Sequence, residues 1–146
     1  MNPSYFPDTH YSDIPNLDEE LITHLKAYHI TSKLEDDFGF KNHPFYSRVL
    51  VNDDKGLVIK QIYISDRGRK LDKVPTLVVP TFYISDIGGS THLVIQPIVD
   101  TSEASFRIVD EYIRSLSWDE RQEQFGADAH CGNIGMYNGK PAVFDW

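Results

Sequence analysis

Three oxygen-bearing side chains stand at suggestive spacing in the last nineteen residues of this 146-residue chain. Asp128 and Asn133 are five residues apart across a polar, glycine-punctuated loop, and Asp145 lies twelve residues beyond Asn133. A carboxylate and an amide carbonyl are hard oxygen donors of the kind magnesium accepts. Phosphoryl transfer needs such donors, together with a carboxylate near the attacking hydroxyl. Far upstream, Lys60 ends the run Leu57-Val58-Ile59-Lys60, where alternating apolar neighbours let an amine project from one face of a strand. The plainer alternative is a polar loop whose Asp, His and Asn side chains satisfy backbone groups, with Lys60 a solvated strand lysine.

Other chemistries fit the residues less well. Cys131 beside His130 invites a thiolate mechanism, but adjacent residues on an extended loop point apart, so a Cys-His pair needs partners distant in sequence. One cysteine and scattered histidines give no pair at zinc-finger spacing, and His24 with His29 is a step that suits one helix face poorly. His10, His43 and His92 read as structural or surface residues.

The elements that must position these groups follow from periodicity. Pro3, Pro7 and Pro15 suit an extended arm, after which Asn16 with Glu19 offers a capping box for a helix over about residues 17–34, striped by Leu17, Leu21, Leu25 and Tyr28. Short β-rich runs follow: Arg48 to Asn52 and Leu57 to Ile64 around a turn ending in Gly56, then Thr76 to Ile84 and His92 to Val99 around Ser85 to Ser90. These predict an antiparallel sheet of at least four strands, with Pro80 demanding an edge position or a bulge. Helical spacing resumes at Phe106, Val109, Ile113 and Leu116, capped by Thr101 or Ser102. Ser117 with Glu120 starts a second, shorter helix, and Asn138-Gly139 turns a closing hairpin.

The segment Asp128-Ala-His-Cys-Gly-Asn-Ile-Gly, followed by a hydrophobic residue and Asp145-Trp146, resembles the catalytic loop and metal-binding hairpin of the kinase-like superfamily. It is closer to aminoglycoside phosphotransferases and small-molecule kinases than to typical protein kinases. Leu57 to Lys60 resembles the strand whose lysine pairs with nucleotide phosphates, and Leu93-Val94-Ile95-Gln96-Pro97-Ile98 resembles the strand entering the interlobe hinge. The order matches over about residues 45–146. The resemblance implies Asp128 as catalytic base, His130 as an ordering group, and Asn133 and Asp145 as magnesium ligands. It further implies Lys60 on the phosphates of ATP, and backbone groups around Gln96 and Ile98 on the adenine. Three features depart from the pattern. No glycine-rich loop precedes Arg48, no glutamate lies between Glu35 and Glu103, and the sequence ends one residue past Asp145. The implied C-terminal lobe is therefore strongly reduced.

The expected architecture is α+β in a single kinase-like domain: arm and helix over 1–40, sheet over 45–100, helices and catalytic-loop hairpin over 101–146, with a nucleotide cleft between sheet and helices. A formal net charge of −8 disfavours nucleic acid and anionic membranes, and Asp66 and Asp72 interrupt the nearest basic stretch. A single cysteine and no long apolar run imply a cytosolic setting. The expected function is magnesium-dependent transfer of the ATP γ-phosphoryl group to a protein hydroxyl, with target surface supplied by the arm, a partner or a second copy. The alternative is a pseudokinase that docks on another protein as inhibitor or regulator.

Overall fold

Leu57 and Ile59 alternate with Val58 and Lys60, and a strand with that pattern must bury one face. The computed structural model describes residues 14–28, 34–35, 37–45, 48–63, 76–85, 91–126 and 132–144. It is α+β, and it divides into two compact units, Met1–Lys70 with Pro80–Pro97, and Leu71–Val79 with Ile98–Trp146. Among the described residues no helix is long and apolar enough to cross a membrane.

The first unit is an antiparallel sheet covered on one face by a helix. Its strands are β1 (Lys41–Asn42), β2 (Val49–Asn52), β3 (Leu57–Tyr63), β4 (Phe82–Ser85) and β5 (Thr91–Pro97), in the order β1-β2-β3-β5-β4. Helix α1 (Glu19–Tyr28) lays Leu21, Ile22 and Leu25 into a cluster with Leu50, Leu57, Ile59, Ile84, Leu93 and Ile95. Each leucine buried this fully contributes about 1.5–3 kcal/mol. The turn between β2 and β3 ends in Gly56 at φ 66°. It is fixed by buried Asn52, whose amide donates to Phe38 O at 2.7 Å while its Oδ1 accepts from Lys55 N–H at 3.0 Å.

Two expectations fail in this unit. Asn16 does not cap the helix: it takes a left-handed φ of 67° and donates its side chain to Lys55 O at 2.9 Å. Asp18, directly before the helix, accepts from Leu21 N–H at 2.9 Å instead. An N-cap needs extended backbone, which Asn16 has given up to the turn. The run 76–84 is not one strand either. Pro80, which has no N–H to donate, separates β4 from residues 76–79, which belong to the second unit. β4 itself, which begins two residues after Pro80, is an edge strand. The arm at residues 1–13 lies outside the described residues, as does the predicted helix from residue 29 to 33.

The second unit packs two helices against a hairpin. Helix α2 (Glu103–Ser115) is capped by Ser102, whose hydroxyl accepts from Ser105 N–H at 3.3 Å, and it buries Val109 and Ile113. Helix α3 (Trp118–Phe125) starts with the complete Ser117–Glu120 capping box and ends at Gly126, φ 84°. Strands β6 (Ile134–Tyr137) and β7 (Lys140–Val143) turn through Asn138 and Gly139, both at positive φ, as the tightest hairpin connection demands. Ile134 and Val143 join Val109, Ile113 and Phe125 in one cluster.

Short flanking segments extend this hairpin on both sides. Residues 77–79 run parallel to β7, with Val143 N–H on Leu77 O at 2.8 Å and Val79 N–H on Val143 O at 3.0 Å. Asp100 exchanges two backbone hydrogen bonds of 2.9 Å with Met136 of β6. The approach of this second flank leaves no room at Gly135, where a Cβ would stand 2.7 Å from Val99 Cγ2 and 3.1 Å from Asp100 O. Gly135→Ala must therefore push backbone apart, and we expect a loss of about 1–3 kcal/mol in chemical denaturation, as for overpacked cores. Wild-type stability in this variant would show that the flank yields freely.

Candidate functional site

The face of the sheet opposite the α1 cluster carries the candidate phosphate ligand. Lys60 is paired with Val49 of β2 and Val94 of β5, and Val58 with Val51 and Gln96. Because side chains alternate along a strand, Lys60, Val58, Val94 and Gln96 share this second face. Val94 and Gln96 are buried, whereas Lys60 and Val58 are half-buried. One amine among valines can serve a ligand with an apolar ring and an anionic tail. The Gln96 side chain is engaged elsewhere: its Nε2 donates to the fully buried Thr81 hydroxyl at 3.1 Å.

Ile98 begins the second unit, so the chain crosses from one unit to the other between Pro97 and Ile98, at the end of the stretch read as the strand entering a hinge. Lys60 and Gln96 belong to the first unit, Ile98 and Asn133 to the second.

Asn133 stands at the foot of the β6–β7 hairpin. Phe144 N–H donates to Asn133 O at 3.0 Å and continues the ladder one pair beyond Ile134 and Val143. The register thus returns the chain to Asn133 one residue before Asp145. Asp128, His130 and Asp145 themselves lie outside the described residues. Among the described residues no group of three or more His, Cys, Asp or Glu side chains is gathered to hold a metal. An asparagine side chain carries an amide oxygen, a hard donor of the kind magnesium accepts.

Comparison with known proteins gives no match to any family model, curated protein or solved structure.

Sequence reasoning overlooked Asp100, which combines a backbone contact to β6 with a fixed carboxylate. Its Oδ1 accepts from Ser102 N–H at 2.8 Å. That bond, followed by the Ser102 and Ser105 hydroxyls, holds the carboxyl below its ordinary range. An Asp-x-Ser sequence directly before a helical stripe was the available signal. A lowered folded pKa favours the ionised folded form. The contribution to stability is therefore complete above the unfolded pKa and disappears as pH falls through the folded one. We expect Asp100→Asn to be less stable than wild type at neutral pH, with the difference closing as pH drops below about 4. Urea melts across this range check it, and a difference independent of pH would show that the charge plays no part.

Proposed function

We propose that this chain is a magnesium-dependent ATP phosphotransferase of kinase-like design that transfers the γ-phosphoryl group to a protein hydroxyl. The observation that carries the reading is the Phe144 N–H bond to Asn133 O, since it brings the strand leading into Asp145 back beside Asn133. Asn133 and Asp145 are the proposed magnesium ligands. Lys60, on its valine-rich sheet face, is the proposed partner of the nucleotide phosphates, with backbone groups at Gln96 and Ile98 on the adenine.

The roles follow from the chemistry. Asp128 takes the proton of the acceptor hydroxyl as its oxygen attacks the γ-phosphorus, while the bond to the bridging oxygen breaks and ADP leaves. His130 orders the loop that carries Asp128. Bound magnesium neutralises charge on the phosphate oxygens. Lys60 adds a positive charge to the same phosphates, and the valines beside it give the base an apolar surface.

Thermal melts with ATP and magnesium, followed by transfer of labelled phosphate, test this reading. A ligand at about a hundred times its Kd stabilises the folded state by about 2.7 kcal/mol. Wild type should therefore melt several degrees higher, Asp145→Ala should lose the magnesium-dependent part, and Asp128→Ala should keep the shift while losing transfer. A shift without transfer in wild type would leave a nucleotide-binding pseudokinase, and no shift with any divalent metal would defeat the proposal.

A further inference from the structure

Asn138 and Gly139 form the only Asn-Gly pair in the chain. Asparagine is a thermolabile residue, and a following glycine leaves its amide especially open to attack, because no Cβ crowds the glycine nitrogen. The other asparagines are followed by Pro3, Leu17, His43, Asp53 and Ile134. Both residues of the pair are exposed at the tip of the β6–β7 hairpin, and nothing stands within 4 Å of the place a Cβ would take on Gly139. Asn52 makes the contrast: it is buried, its amide donating to Phe38 O and its Oδ1 accepting from Lys55 N–H. The segments flanking the hairpin stop short of the tip. Asp100 holds Met136 and residues 77–79 hold Val143, so beyond Met136 the turn is closed by the Tyr137–Lys140 pair. Opening it breaks that pair and uncovers little apolar surface, since Lys140 is already exposed and Tyr137 half-buried. Such local openings lie at the low end of the free-energy scale.

We infer that Asn138 is a site of spontaneous covalent modification, deamidation through a cyclic imide, and that one of its products releases the hairpin tip. When the turn opens, the Gly139 nitrogen, having lost its proton, bonds to Asn138 Cγ; the Cγ–Nδ2 bond breaks and ammonia leaves with a proton returned from water. Water then opens the imide at either carbonyl. Opening at Cγ gives an aspartate, and Asp-Gly suits a type I′ turn as Asn-Gly does. Opening at the main-chain carbonyl gives an isoaspartate, whose backbone runs through the former side chain and is one carbon longer. A two-residue turn at φ 50° and 78° has no place for that carbon, so the Tyr137–Lys140 pair cannot re-form. Either product makes the formal net charge of −8 more negative by one carboxylate. The inference is independent of the phosphotransferase reading.

The test ages the wild-type protein, folded at neutral and at mildly alkaline pH and in parallel unfolded in urea, then maps it by mass spectrometry and scores isoaspartate with an isoaspartyl methyltransferase. The expected result in the folded protein is amide loss at Asn138 before any other asparagine. Loss should be faster at the higher pH and faster still in urea, because attack needs a deprotonated nitrogen and an open turn. The aged protein should melt below the fresh protein, whereas Asn138→Asp should melt with the fresh wild type. Asn138→Gly, which keeps a turn-competent pair without the amide, should melt alike before and after ageing. An intact Asn138 in folded protein after the time that converts it completely in urea would overturn the site, as would earlier conversion of another asparagine. Isoaspartate at Asn138 without a lowered melting temperature would overturn the effect on the turn.

Discussion

Val143 is held through both its side chain and its backbone. Its side chain is buried with Val109, Ile113, Phe125 and Ile134, its strand is paired with β6, and its own N–H and C=O are both taken by residues 77–79. Backbone polar groups withdrawn from water must find partners, so a buried strand edge needs covering. Residues 77–79 cover it, and Thr76 and Leu77 meet the last turn of α3, while the Asn138-Gly139 turn sets the register that returns Phe144 to Asn133.

The first unit answers a different requirement. Its sheet has one face sealed by α1 and another that carries Val58, Lys60, Val94 and Gln96. The engagement of Gln96 with Thr81 shows how a polar residue is tolerated there, since both groups are buried and each satisfies the other. Lys60 is half-buried, with Val49 and Val94 as its neighbours across the strands.

Much of this was legible because local chemistry decided it. Ser117 with Glu120, Ser102 before α2, the Asn138-Gly139 turn and Gly56 each specify their geometry from two or three neighbouring residues, and each occurs where the sequence indicated. The alternation that marked Leu57 to Lys60 also held, because one face had to be buried. What could not be read was set by distant partners. Asn16 and Asp18 are both competent caps, and only the turn at Lys55 decides between them by taking the Asn16 side chain. The β-rich character of residues 76–84 was evident, but the first part joins β7, more than fifty residues later, while β4 pairs with β5. Gly135 offered no local sign of the close approach by Val99 and Asp100. The candidate site divides the same way: residue types and spacing named Asn133 and Lys60, while the closure of the hairpin by Phe144 came from the fold.

The account turns on Asn133 and Asp145 sharing one metal ion, and the direct measurement is the anomalous signal of manganese in crystals grown with ATP. The predicted peak lies about 2–2.5 Å from an oxygen of each side chain, with nucleotide phosphate completing the coordination. Manganese bound to other side chains, or to the nucleotide with neither Asn133 nor Asp145 within reach, would contradict it.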